Sequence, residues 1–119
     1  MPDASFPVEM IGGVPVVVTP EEIDITNADG LRAALLQAAG HEPRGLVVDM
    51  SRTQFCDTAG IHALVLAHKR AGAGSGEVRL VITGAAVLRI FAITGLDNVI
   101  PHFASLEEAL AATSRGAEE

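Results

Sequence analysis

Tryptophan and tyrosine are absent from the 119-residue chain, and phenylalanine occurs four times. Aromatic platforms on which bases, sugars and flat cofactors stack are therefore scarce, and we expect no bound cofactor. The single cysteine, Cys56, excludes an internal disulfide and is typical of a reducing compartment. No apolar run approaches the roughly 18 residues of a membrane span, and the Met-Pro-Asp-Ala-Ser start lacks the regions of a secretory signal. We expect a cytoplasmic protein.

Basic residues are also few, since 8 Lys and Arg stand against 15 Asp and Glu for a net charge of −7. Binding a polyanion requires a basic footprint, so we expect neither nucleic acid nor a membrane as partner, but a basic protein surface. No two histidines occupy the i, i+4 spacing of a helical metal site, and we expect no metal.

The hydrophobic fraction of 49% is ample for a folded core, and the length is that of one domain. We expect one domain over residues 1–119, with a core at about 8–112 and flexible tails at 1–7 and 114–119.

Strand and helix signals alternate along the chain. The runs Val8–Ile11 and Val14–Val18 flank Gly12-Gly13, which is a hairpin signal. Further strands are predicted at Gly45–Asp49, Val78–Ile82 and Val99–Ile100. Helices are predicted from Asn27 to Gly40, from Thr58, over Ala85–Thr94, and after a capping box at Ser105. This order predicts an α/β fold with a mixed four- or five-stranded sheet, Gly45–Asp49 central, and helices mainly on one face.

The segment around Asp57 and Thr58 carries the functional hypothesis. Asp57 suits the N-cap of a helix, Thr58 the first helical residue, and Gly60 keeps the turn unobstructed. A phosphoryl group on Thr58 would meet free N–H groups and a favourable helix dipole, and would add about −1.5 to −2 charges. Plain helix capping explains the same residues, and both interpretations stay open at this point.

Three segments resemble the STAS-domain family of anti-sigma-factor antagonists. Phe55-Cys-Asp-Thr-Ala-Gly-Ile61 is similar to its apolar–x–Asp–Ser–Ser/Thr–Gly–Leu motif. Glu22-Ile-Asp-Ile25 is similar to its Gly-Glu-Ile-Asp motif, and Phe91-Ala-Ile-Thr-Gly-Leu96 to its Phe-Asp-Ile-Thr-Gly-Leu stretch. The resemblance spans about Val8 to Ala112. It departs from the family at Thr58, where Ser is usual, at Ala59, where a second hydroxyl is usual, and at Glu21, where Gly is usual.

The resemblance implies a bacterial regulator of transcription that is not an enzyme. In that family the serine after the aspartate is phosphorylated by an anti-sigma factor with kinase activity. The unphosphorylated form binds this kinase and frees the sigma factor, and a phosphatase resets the switch. The matching position is Thr58, and we expect partner contacts at Asp24, Asp57, Thr58, Ala59, Gly60 and His62. Leu66 is either an apolar anchor beside them or part of the core. Thr53 is expected to play no part in the phosphorylation switch.

Three alternatives compete with this hypothesis. Asp49, at the end of a strand, could be the phospho-acceptor of a receiver domain, with Glu21-Glu22 as its acidic metal pair, but the only lysine, Lys69, lies inside a predicted helix. Cys56 could be a nucleophile with a nearby base, but the four histidines, His41, His62, His68 and His102, are scattered singly along the chain. A scaffold subunit of a sensory complex, with the same fold and no phosphorylation, stays open.

Overall fold

The computed structural model describes residues 6–41, 45–73 and 77–118. Seven strands and four helices lie in these ranges, with a short 3-10 helix at Leu96–Asn98. The strands are β1 (Val8–Ile11), β2 (Val14–Val18), β3 (Glu22–Ile23), β4 (Gly45–Met50), β5 (Phe55–Cys56), β6 (Glu77–Ile82) and β7 (His102–Phe103). The helices are α1 (Ala28–His41), α2 (Thr58–Ala73), α3 (Ala85–Thr94) and α4 (Leu106–Glu118).

The opening hairpin is confirmed. β1 and β2 pair antiparallel across a two-residue turn of Gly12 and Gly13, whose φ angles are 60° and 82°. Positive φ at both turn residues matches the right-handed twist of the strands, and glycine adopts it without strain. The hairpin therefore follows from its own local sequence.

Five strands form the main sheet in the order β1-β2-β4-β6-β7, with β1 antiparallel and the others parallel. β4 lies in the middle, and its Leu46, Val47 and Val48 are fully buried. The predicted mixed sheet with this strand at its centre is confirmed. β3 and β5 pair with each other in a separate two-stranded sheet.

Helices cover the two faces of the main sheet unequally. Leu46 and Val48 pack in one core cluster with Leu31 of α1, Leu64 of α2 and Phe91 of α3. The alternate residue, Val47, packs on the other face with Ala109 of α4, as the two-residue period of a strand requires. Three helices on one face and one on the other confirm the prediction of helices mainly on one face.

The strand expected at Val99–Ile100 is wrong. Gly95 ends α3 with a φ of 79°, and the backbone N–H groups of Val99 and Ile100 both donate to the carbonyl of Leu96. The chain is therefore still turning at these residues, and the strand β7 follows at His102–Phe103, paired with β6. Ile100 is fully buried, so its apolar character reflects the core.

The ends of the fold differ from the expected tails. α4 continues to Glu118, past the predicted boundary at Ser114. Phe6 packs against the core, and the carbonyl of Pro7 accepts a hydrogen bond from the N–H of Val18. Residues 1–5 and 119 lie outside the described residues.

Gly45 provides a test of how closely β4 and β6 approach. Its φ is 99°, and a Cβ there would overlap the backbone of Glu77 on β6. We expect Gly45→Ala to lower the free energy of unfolding by about 2–4 kcal/mol, from backbone strain plus overpacking, in urea denaturation. Gly12→Ala is the control, since a Cβ there meets nothing within 4 Å and only strain of about 1 kcal/mol applies. Equal losses in the two variants would contradict the close approach.

Candidate functional site

A short parallel pairing brings two aspartates together. Glu22 pairs with Phe55 and Ile23 with Cys56; we call these two strands the β3–β5 ribbon. Ile23 and Cys56 point into the core, whereas Glu22 and Phe55 are exposed. Asp24 and Asp57 are the next residues on the two strands, so the register places them side by side.

Asp57 is the N-cap of α2, as predicted. Its Oδ1 accepts hydrogen bonds from the backbone N–H groups of Ala59 at 3.0 Å and Gly60 at 3.3 Å. Its own N–H donates to the carbonyl of Ile23 at 3.0 Å. One residue therefore joins the ribbon to the first turn of the helix.

This cap changes the expected environment of a phosphoryl group. The sequence predicted that such a group on Thr58 would meet free N–H donors at the start of α2. The donors of Ala59 and Gly60 are instead occupied by the Asp57 carboxylate. A dianion on Thr58 would thus lie beside a negative charge that already uses these donors.

The expected contact residues divide into outer and inner positions. Thr58 and His62 are exposed one turn apart on α2, and Ala59 is half-buried. Gly60 is buried, and a Cβ there would lie 2.5 Å from Cγ2 of Ile23 and 2.7 Å from Sγ of Cys56. Gly60 therefore permits the helix to approach the ribbon, and its expected contact with a partner stays a prediction.

Asp24 shapes the turn that begins α1. Its Oδ1 accepts hydrogen bonds from both the N–H and the hydroxyl of Thr26, and its N–H donates to Oδ1 of Asn27. The hydrogen bonds from Thr26 hold the pKa of the Asp24 carboxyl below its ordinary value. Asp24 is thus an ionised turn residue next to Asp57.

Buried hydroxyls hold the loop that leads into β5. Thr53 donates to the carbonyl of Pro20 at 2.6 Å and lies 2.6 Å from the Thr19 hydroxyl, with both side chains only 1% exposed. Thr83 donates to the carbonyl of Ser51. Removal of the Thr53 hydroxyl would leave buried polar atoms unpaired, so Thr53 contributes to the stability of this loop. That Thr53 takes no part in the phosphorylation switch stays a prediction. Threonines in a polar stretch show no periodicity, so no sequence pattern indicated the structural role.

The geometry around Cys56 and Asp49 gives little support to a cysteine nucleophile or a receiver-type phospho-acceptor. Burial, with the nearby Asp57 charge, raises the pKa of the Cys56 thiol to about 12, so it stays protonated at neutral pH. The Asp49 carboxylate accepts a hydrogen bond from the N–H of Ser51 and closes a turn. Over residues 6–41, 45–73 and 77–118, no three His, Cys, Asp or Glu side chains gather as a metal site would require. In the same ranges, no helix has the length and apolar content to cross a membrane.

Comparison with known proteins gives consistent matches. The model of the STAS domain matches residues 5–109. The anti-sigma-F factor antagonist RsfB of Mycobacterium tuberculosis is 29% identical over 104 residues, covering 87% of this chain and 84% of RsfB. The crystal structure of an anti-sigma factor antagonist from Mycobacterium paratuberculosis has a TM-score of 0.84 and 32% identity, covering 92% of this chain and 93% of that one.

A more distant structure shares the fold alone. SpoIIAA of Bacillus, in its phosphorylated form, has a TM-score of 0.70 and 22% identity, and the match covers 91% of this chain and 98% of that one.

The Asp57 cap can be separated from the Asp57 charge. We expect Asp57→Ala to lower the free energy of unfolding by about 1 kcal/mol, because two backbone donors of α2 lose their acceptor. Asp57→Asn keeps an acceptor oxygen and should stay within about 0.5 kcal/mol of the wild type. Urea denaturation of the three proteins measures this. If Asn and Ala lower stability equally, charge rather than hydrogen bonding holds the first turn.

The Cys56 thiol should make stability fall at alkaline pH. In the unfolded chain the thiol ionises near pH 9, whereas the folded protein keeps it protonated up to about pH 12. Because the pKa is higher in the folded state, the thiol contributes its full stabilisation below pH 9. Above pH 9 the free energy of unfolding falls by about 1.4 kcal/mol per pH unit. Urea denaturation at a series of pH values should show this slope in wild type and not in Cys56→Ala. The same slope in both proteins would mean that Cys56 is not the group responsible.

Proposed function

The chain belongs to the STAS domain family, and on that premise we propose that it is an anti-sigma-factor antagonist switched by phosphorylation of Thr58. In its unmodified form the protein binds an anti-sigma factor with serine/threonine kinase activity, and a sigma factor is released. Phosphorylation of Thr58 by that partner ends the binding, and a phosphatase restores it. The protein acts by binding rather than by catalysis, in the bacterial cytoplasm where transcription takes place.

The observation that carries the proposal is the placement of Thr58. Its side chain is exposed at the first residue of α2, and the neighbouring Asp57 fixes the start of that helix. This position matches the phosphorylated serine of the family motif that the segment resembles. The names of RsfB and of the Mycobacterium paratuberculosis protein support the same role, and the solved SpoIIAA structure is of a phosphorylated form.

Thr58 is also a well-defined acceptor within the helix that carries it. The first turn of α2 reads Thr58-Ala-Gly-Ile61, so Thr58 supplies its only hydroxyl. Thr53, the preceding threonine, is buried and therefore shielded from a kinase. The kinase has to accept threonine, whose extra methyl group distinguishes Thr58 from the serine usual in the family.

Electrostatics explains how one phosphoryl group ends binding without unfolding the domain. A phosphoryl group on Thr58 adds about −1.5 to −2 charges directly after Asp57, at the end of the ribbon that also carries Asp24. In the free protein it faces water, so we expect the change in folding stability to be roughly 1 kcal/mol or less. In a closed interface the dianion loses water while its nearest neighbours are negative, which costs several kcal/mol.

A charge at position 58 should therefore weaken binding selectively. Titration calorimetry with the cognate anti-sigma factor should give near wild-type affinity for Thr58→Ala and at least about a hundredfold weaker binding for Thr58→Glu. Ala111→Glu is the matched control, because Ala111 is exposed on α4, which packs on the other face of the sheet. Equal affinity of wild type and Thr58→Glu would contradict the switch.

The acceptor itself is tested by incubation with the kinase and ATP, followed by intact-mass measurement. The wild type should gain the mass of one phosphoryl group, and Thr58→Ala should gain none. If the wild type binds the anti-sigma factor but is never modified, the scaffold alternative holds instead. If it binds no anti-sigma factor, the antagonist function itself is wrong.

A further inference from the structure

Two large apolar side chains are uncovered on the ribbon or just after it: Phe55 is the first residue of β5, and Ile25 follows β3 by two residues, as Thr58 follows β5. Ile25 is 80% exposed and Phe55 is 47% exposed, although both residue types are normally buried. We propose that Ile25 and Phe55 are the apolar anchors by which this protein holds its partner, whose contact face is basic and contains an apolar cleft. This inference rests on the proposed function, because it identifies the chemistry of the anti-sigma factor that fits this surface.

The anchors are held in place by the backbone around them. Phe55 is paired with Glu22 in the β3–β5 ribbon, and its N–H donates to the carbonyl of Glu21 at 3.2 Å. Ile25 lies inside the turn that Asp24 closes with Thr26. Rigid anchors lose little conformational freedom on binding, which favours affinity.

The inner and outer faces of the ribbon serve different purposes. Ile23 and Cys56 alternate with the outer residues and are at most 1% exposed, so the ribbon already has a full inner face against the core. Folding therefore depends more on Ile23 and Cys56 than on Phe55 or Ile25. Leu66, the anchor suggested by the sequence, is half-buried and offers less surface.

Charge around the anchors determines which occupant fits. Glu21 and Glu22 are exposed on the ribbon side, Asp24 directly precedes Ile25, and Asp57 follows Phe55 by two residues. In the described part of this surface, Arg52 is the nearby residue with a permanent positive charge. Anionic membranes and nucleic acids are repelled by such a rim, whereas a basic protein face is attracted. An apolar centre with a charged rim is the usual anatomy of a protein interface.

The anchors should act independently of phosphorylation. With Thr58 unmodified, we expect Ile25→Ser and Phe55→Ser each to bind the cognate anti-sigma factor roughly tenfold more weakly or worse in titration calorimetry. Ile25→Leu and Phe55→Leu keep an apolar side chain and should stay within about threefold of the wild type. Met10→Ser is the control, since Met10 is 51% exposed on β1 and pairs with Pro15, at the end of β2 remote from the ribbon.

Two further readouts separate the possible results. Thermal unfolding should show both serine variants folded, with Ile25→Ser close to the wild type and Phe55→Ser somewhat less stable, because about half of Phe55 is covered. High salt should weaken wild-type binding by screening the acidic rim. If the wild type binds and the serine variants bind equally well, the anchors are wrong while the proposed function stands. If the wild type binds no anti-sigma factor, both the proposed anchors and the proposed function are wrong. If Met10→Ser weakens binding as much as Phe55→Ser, the interface lies elsewhere.

Discussion

The first turn of α2 lies against the β3–β5 ribbon at a distance that a glycine at position 60 permits and a side chain would prevent. The site depends on this contact. Asp57 bridges it, because its N–H bonds to the ribbon while its carboxylate caps the helix. Because of this arrangement, Thr58 is exposed to solvent, and Asp24 and Asp57 follow the same end of the ribbon.

The same cap accounts for the electrostatic character of the site. A helix N-terminus with free N–H donors would bind a phosphoryl group favourably, and modification would then stabilise the local structure. Here the carboxylate of Asp57 already satisfies two of these donors. A second anionic group at Thr58 therefore adds charge to a surface that is already acidic, and in our proposal that added charge acts on the interface more than on the fold. In the same proposal, the apolar anchors Ile25 and Phe55 give this surface its affinity, and phosphorylation of Thr58 controls whether a partner can bind it.

Much of the fold could be predicted because its signals extend over several residues. The Gly12-Gly13 hairpin and the buried β4 are examples, and the N-cap at Asp57 followed from residue type and position. The strands of the β3–β5 ribbon have two residues each, too few for a periodicity to show. The exposure of Phe55 and the burial of Thr53 depend on that ribbon and on its loop, so no local pattern could reveal them. The second bond of Asp57, from its N–H to the carbonyl of Ile23, links the cap to the ribbon and could not be predicted from residue type.

The central claim is that the unmodified Thr58 surface displaces a sigma factor and that one phosphoryl group prevents this. The most direct measurement adds the protein to a preformed complex of sigma factor and anti-sigma factor and follows free sigma factor by native mass spectrometry. We expect stoichiometric release by the unmodified protein and almost none by the form phosphorylated at Thr58. Equal release by both forms, or no release by either, would contradict it.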